Sequence, residues 1–149
     1  MSRFLSIIFS LIIVSSGLLC SSSATAAISI NDPLDSCPSS PNCVVSLNGD
    51  EEHKIDPISY QSDRATAKET LLKVLSVVPR TEVIEDTDNY IHAESTSRIF
   101  KFVDDVDFYF PEDEKVIHLR SASRVGESDL GVNRRRIEQI RLAMQDLGV

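Results

Sequence analysis

Basic residues are in short supply. The chain has 15 Lys and Arg against 23 Asp and Glu, a formal net charge of −8 over 149 residues. General binding to nucleic acid needs many phosphate-facing cations, so this balance excludes it. Apolar runs are short. The longest, Phe4 to Leu19, is interrupted by serines and Gly17 and falls below the ~20 residues that a spanning helix needs. Cysteine is limited to three. No C-x-x-C spacing occurs, and no second Cys or His cluster follows at ligand spacing, so neither a zinc framework nor a cofactor is expected. Internal repeats and low-complexity tracts are absent from the remainder. What is there is globular: 42% hydrophobic and 26% charged residues exclude wholesale disorder. The length suits one ordinary domain.

The amino terminus reads as an address. Arg3 is the only charged residue before Asp32, an apolar run follows, and Ala24-Thr25-Ala26-Ala27 closes it. A short positive end, an apolar stretch and an A-x-A site describe a secretory signal peptide over 1–27. The alternatives are an uncleaved membrane anchor, or a lipoprotein with Cys20 as its lipidated residue, although Leu19 is large for that site. After cleavage no stable membrane span is expected. Cys37 and Cys43 then remain as an even pair in an exported chain, where a structural disulfide is favoured. Pro38 and Pro41 favour turns between them. The chain-entropy model gives roughly 2–2.5 kcal/mol for so small a ring. A redox pair or half a metal site is the competing reading.

Residues 28–61 are rich in Pro, Asn, Asp, Gly and Ser without a sustained period, and read as an irregular arm pinned by that disulfide. The remaining 62–149 form the domain proper. Ser62 is a plausible N-cap. Ala67, Leu71, Val74, Leu75 and Val78 recur at helical spacing up to Pro79, predicting a helix over about 63–78. Strand-like segments follow at 82–85, 90–95, 98–103, 106–110 and 115–120, joined by turn chemistry. A second amphipathic helix over about 132–147 carries Ile137, Ile140, Met144 and Leu147 on one stripe. The expected fold is α+β: an antiparallel sheet of four or five strands, flanked in sequence by two helices packed on one face. Alternation assigns Ile91, Ala93, Phe100, Phe102, Phe108, Phe110, Ile117 and Leu119 to the core. Tyr90, His92, Glu94, Lys101, Asp107, Tyr109, His118 and Arg120 fall on the other face.

Three constellations could carry chemistry. On the polar sheet face, His92, Glu94, His118 and Arg120 could do acid–base work or hold a metal; an ordinary solvated face is the plainer reading. Asp104, Asp105 and Asp107 invite a divalent cation, but EF-hand spacing is missing. Asp104 and Asp105 fit better as a bend between strands and as structural ion-pair partners of arginines. Between the last strand and last helix, residues 121–136 combine small residues, two glycines and four arginines. Arg120, Ser123, Arg124, Asn133, Arg134 and Arg135 are the candidate anion-binding residues. This is neither a Walker loop nor a nucleophile elbow. Internal pairing with Asp104, Asp105, Asp129 and Glu138 is the alternative.

Three stretches together resemble the domain of unknown function 1499 family of exported bacterial and plastid proteins. They are Cys37-Pro-Ser-Ser-Pro-Asn-Cys-Val44, Phe102-Val-Asp-Asp-Val-Asp-Phe108 and the segment Arg120 to Glu138. The likeness covers about 36–146, and Val45 departs from the serine that family often has. The resemblance implies a single-domain exported protein and supplies no reaction, cofactor or catalytic residue.

The expectation is therefore an exported protein of the periplasm or thylakoid lumen, with no catalytic residue assigned. It reads as a binding or assembly factor that grips a small anionic ligand or an acidic protein partner through its arginines. The alternatives are an enzyme acting on a small anionic substrate through the polar sheet face, and a structural accessory subunit. Charge is divided along the chain: residues 28–119 hold 8 basic and 19 acidic groups, residues 120–149 hold 6 and 4.

Overall fold

A computed structural model describes residues 33–149. The segment 1–27 expected to be a signal peptide, Cys20 within it and the first residues of the arm lie outside the described residues. No described helix is long and apolar enough to cross a membrane.

Helix α1 spans Arg64–Val77. Its cap is Asp63 rather than the expected Ser62: the Asp63 carboxylate accepts from the Thr66 amide at 2.9 Å and the Thr66 hydroxyl at 2.7 Å. An ionised carboxylate also complements the positive helix end, which a serine hydroxyl does not. Ala67, Leu71, Val74 and Leu75 are buried, as their spacing predicts. Pro79 follows the cap at Val78. Helix α2 spans Val132–Asp146 and buries Ile137, Ile140 and Met144. Leu147, expected on the same stripe, is exposed because the helix has ended before it.

The sheet is antiparallel and has six strands: β1 Cys43–Val45, β2 Ile58–Ser59, β3 Thr81–Asp86, β4 Tyr90–Thr96, β5 Val103–Tyr109 and β6 Val116–Ser123. The order is β1-β6-β5-β4-β3, with β2 also pairing with β6. So the arm is not wholly irregular. β1 lies along Arg120–Ala122 and β2 along Val116–Ile117, and together they cover the outer edge of β6. A covered edge cannot template pairing with another chain. The opposite edge, β3, is bulged between Val83 and Glu85 and carries Glu82, Glu85 and Asp86, which are charges and irregularity of the kind that blunts an edge.

The core lies between the helices and one sheet face. Ile91, Ala93, Val106, Phe108, Ile117 and Leu119 pack with Leu71, Leu75, Ile137, Ile140 and Met144. One expected strand is missing. Residues 97–102 are the loop of the β4–β5 hairpin, because Thr96 pairs directly with Val103. Ser97 and Phe102 close it through a backbone bond of 2.8 Å, and Lys101 has φ 58°. Phe100 and Phe102 are therefore not core: they are 72% and 49% exposed and stack on each other. Lys101 leaves the polar face for the same reason. Asp104 and Asp105 lie inside β5, not in a bend.

Candidate functional site

The register of three strands builds the polar face. Tyr90 pairs with Tyr109, His92 with Asp107 and Glu94 with Asp105 across β4–β5; Asp107 pairs with Arg120 and Tyr109 with His118 across β5–β6. Directly opposed residues share a face. Asp107, buried at 8% exposure, is the hub. Its Oδ1 accepts from the Tyr90 hydroxyl at 2.6 Å and lies 2.7 Å from His92 Nδ1. Its Oδ2 is 3.4 Å from Arg120 Nη1, while Arg120 Nε is buried without a hydrogen-bond partner among the described residues. Burial, reinforced by the Asp107 carboxylate, pushes the Tyr90 phenol well above its ordinary range.

Beside this hub the Arg124 guanidinium bridges Glu94 and Asp105, reaching Asp105 Oδ1 at 2.7 Å. Its hydrogen bonds hold the Asp105 carboxyl below the usual carboxylate range. Asp35, Glu85, Asp105 and Asp107 line a cleft of about 450 Å³ together with Arg120 and His92, and Pro33 and Leu34 of the arm contribute to its wall. His118 takes a different direction: its Nδ1 lies 3.2 Å from the Ser46 hydroxyl. The strand between β4 and β6 separates it from His92.

The arginine-rich segment is mostly engaged within the fold. Asp104 points to the helical side of the sheet and pairs with Arg136 Nη2 at 2.5 Å, the two side chains being 8% and 11% exposed. Arg136 Nη1 also donates to Asn133 Oδ1 at 2.6 Å and Ser121 Oγ at 3.1 Å. Asn133, fully buried, donates its amide hydrogens toward Asn42 O, Ser123 Oγ and Asp129 Oδ2. The start of α2 already holds an anion, because the Asp129 carboxylate accepts from the backbone amides of Gly131 and Asn133 at 2.8 and 2.7 Å. Arg134 donates to the carbonyls of Lys54 and Glu52, and Arg141 to those of Pro57 and Asp56, fastening the arm to α2. Asn42 Nδ2 adds a 2.6 Å bond to Gly126 O, so the Cys37–Cys43 disulfide loop leans on the same segment.

Two more arginines also meet carbonyls, as Arg134 does, but they line a second cleft. Arg80 donates from Nε to Thr96 O and Arg135 from Nη1 to Leu130 O, so each meets a neutral carbonyl. With Arg136 they line a cleft of about 300 Å³ between the end of α1 and the first turns of α2. Ser95 and Gln139 add polar groups, Val78, Pro79 and Val132 an apolar wall, and no carboxylate lines it.

The structure thus brings His92, Glu94 and Asp105 together. It joins Arg120 to them through Asp107 and sends His118 elsewhere. Ser123, Arg124, Asn133 and Arg134 are held in internal bonds, and Arg135 lines the second cleft. Sequence reasoning missed Arg80, Asn42 and Tyr90 as site residues, and weighed Asp107 only as one of three carboxylates for a cation, not as the hub of the polar face. Alternation already put Tyr90 and Asp107 on the polar face, so their spacing contained a signal. Arg80 and Asn42 come from turns whose placement only tertiary contacts define.

The family model described as "Protein of unknown function (DUF1499)" matches residues 33–144. No curated protein matches the chain.

Proposed function

This chain belongs to the DUF1499 family, and from that premise we propose that it is an exported binding factor. Its ligand is a small anion carrying carboxylate or phosphate groups, held in the cleft between α1 and α2. The observation that carries this reading is the lining: three guanidinium groups and no carboxylate, in a chain with net charge −8. Guanidinium forks match carboxylate and phosphate oxygens, and each charge-assisted bond is worth about 1.5–3 kcal/mol. Arg136 is neutralised by Asp104 and fixes the wall, which leaves Arg80 and Arg135 to meet the anion. Export to the periplasm or thylakoid lumen is supported by the amino-terminal pattern and by a disulfide suited to an oxidising compartment.

The test is calorimetric titration of citrate and of inorganic phosphate into the mature protein at low salt. Arg80→Ala/Arg135→Ala is expected to weaken binding by about tenfold or more, and added salt to weaken it in the wild type. Equal binding by the double variant, or no binding of either anion by the wild type, refutes the reading.

The enzymatic alternative has less support. His118 is turned to Ser46 and Glu94 to Arg124, so the acid–base group it requires does not converge. The accessory-subunit reading gains support from one feature. Phe100, Phe102 and Leu130 are 72, 49 and 84% exposed and line one shallow groove, and exposed apolar patches mark docking surfaces. Phe100→Ser separates the two readings, since Phe100 does not line the anion cleft.

A further inference from the structure

The geometry points to a divalent transition-metal site on the open face of the sheet, which we propose is formed by His92, Glu94 and Asp105, with Asp107 positioning the histidine. It lies across the sheet from the anion cleft and does not depend on it.

The strands set the donors. Glu94 and Asp105 are directly opposed across β4–β5, and His92 stands two residues along β4 on the same face. One ligand atom from each of the three lies within 4.8 Å of the others. A bound ion with metal–donor distances of about 2.0–2.2 Å needs donors about 3–4 Å apart, so the three require only a small inward movement. All three are partly exposed, at 20, 31 and 25% for the side chains, so an ion can enter and keep water ligands.

The histidine is set for coordination by something outside the triad. Its Nδ1 faces Asp107 Oδ1 at 2.7 Å, which leaves Nε2 as the atom turned toward Asp105, 3.5 Å away. A carboxylate behind a histidine fixes the tautomer and the orientation of the ring, as outer-shell partners of metal-bound imidazoles do. Asp107 is itself held by Tyr90 and Arg120, so the orientation is rigid. A pair of carboxylates on a solvated sheet needs no such support.

A cation already occupies the position. The Arg124 Nη2 atom touches both Glu94 and Asp105. Arg124 is 43% exposed and follows strand β6, so it can swing into water and leave its place to the ion. The carboxylates are compensated in either state. One imidazole and two carboxylates favour zinc, nickel or manganese over calcium, which prefers oxygen donors alone.

The experiment is calorimetric titration of zinc chloride into untagged, chelator-treated mature protein at pH 7.5, with calcium as control. One zinc per chain is expected. His92→Ala and Asp105→Asn should each weaken binding at least about tenfold, and Asp107→Asn by about 10–100-fold without removing a ligand. Arg124→Ala should tighten binding by about two- to fivefold, because a surface competitor worth up to about 1 kcal/mol is gone. That gain would not follow from a purely structural role for the cluster. Circular dichroism checks the fold of each variant, and Arg124→Ala carries the test should Asp107→Asn unfold. Zinc binding that is unchanged in His92→Ala, or weakened in Arg124→Ala, overturns the proposal, as does a wild type that binds no zinc. Citrate binding through Arg80 and Arg135 is read in the same variants, so failure of one site leaves the other separately tested.

Discussion

The pair Asp104–Arg136 gives the sharpest test of how this domain is held together. Asp104 projects from a central strand toward the helices at 6% exposure, and its partner leaves only 11% of its side chain in water. Arg136 also holds Asn133 and Ser121, which bond to each other at 2.5 Å. Changing Asp104→Asn keeps the shape and removes the charge, stranding a guanidinium with two neutral acceptors. Breaking one side of a buried pair costs about 3–5 kcal/mol, because an uncompensated charge remains. Single domains are stable by about 5–15 kcal/mol, so this one atom exchange should remove a large share. At about 4 °C per kcal/mol, Tm should fall by roughly 10 °C or more. Arg136→Met should cost a similar amount by stranding the carboxylate. The double variant strands neither, so it should cost less than the two singles together, with a coupling of up to about 3 kcal/mol. Urea denaturation of the four proteins, followed by far-ultraviolet circular dichroism, measures the cycle. If Asp104→Asn lies within about 1 kcal/mol of wild type, or the coupling is below about 0.5 kcal/mol, the pair is solvated and the reasoning fails.

The arm contains a pH-dependent clamp. His53 is buried, with Nδ1 2.7 Å from Asp50 Oδ1 and Nε2 3.1 Å from Ser40 O; burial lowers its pKa, but the two acceptors outweigh burial and hold it above the ordinary value. A raised histidine stabilises fully below its unfolded pKa of about 6.5 and stops doing so as pH rises through the folded value. The stability gap between wild type and His53→Gln should therefore be wider at pH 5.5 than at pH 8.5 in urea denaturation, and the opposite trend would refute the clamp. A second comparison tests the hairpin loop: Phe108→Ala should cost about 3–5 kcal/mol, whereas Phe100→Ser should stay within about 0.5 kcal/mol. A large cost at Phe100 would return that loop to the core.

Much of the fold was legible because it rests on periodicity. Both helices and the strands around 90–95 and 115–120 carry patterns that burial alone enforces, whereas the strand around 82–85 buries no residue fully and was legible only from its composition and the turn after it. The polar face was legible for the same reason: once Ile91 and Phe108 point inward, Tyr90, His92 and Asp107 must point out. Two failures have physical causes. Residues 98–103 alternate as a strand would, yet a hairpin needs a loop, and Lys101 at φ 58° supplies the reversal. Displacing that strand also hid Asp104, whose inward direction follows from Val106 and Phe108 once β5 starts at Val103. The short strands of the arm have two or three residues each, too few to show a period, and they exist because β6 offers an edge. The two clefts were not legible, since each joins residues from segments far apart in sequence.

The charge division along the chain acquires a different meaning in the fold. Residues 28–119 carry the acidic excess and residues 120–149 a small basic one, which by itself suggests an exposed basic end. Instead the basic end is folded back on the acidic part: Arg120 meets Asp107, Arg124 meets Glu94 and Asp105, and Arg136 meets Asp104. Arg134 and Arg141 hold carbonyls of the arm. The charges left to meet a ligand are therefore sorted by the side of the sheet, not by the half of the chain. Carboxylates dominate the open face, with one exposed guanidinium that can exchange for an ion. On the helical side Arg80, from the acidic half, joins Arg135, from the basic half, without a carboxylate between them. A layer of buried apolar side chains and the sheet itself separate the two regions, and solvent screening over about 8–10 Å weakens what field crosses through water. Opposite charges can then be bound on the two sides with little mutual cost, which a single patch of mixed sign could not do.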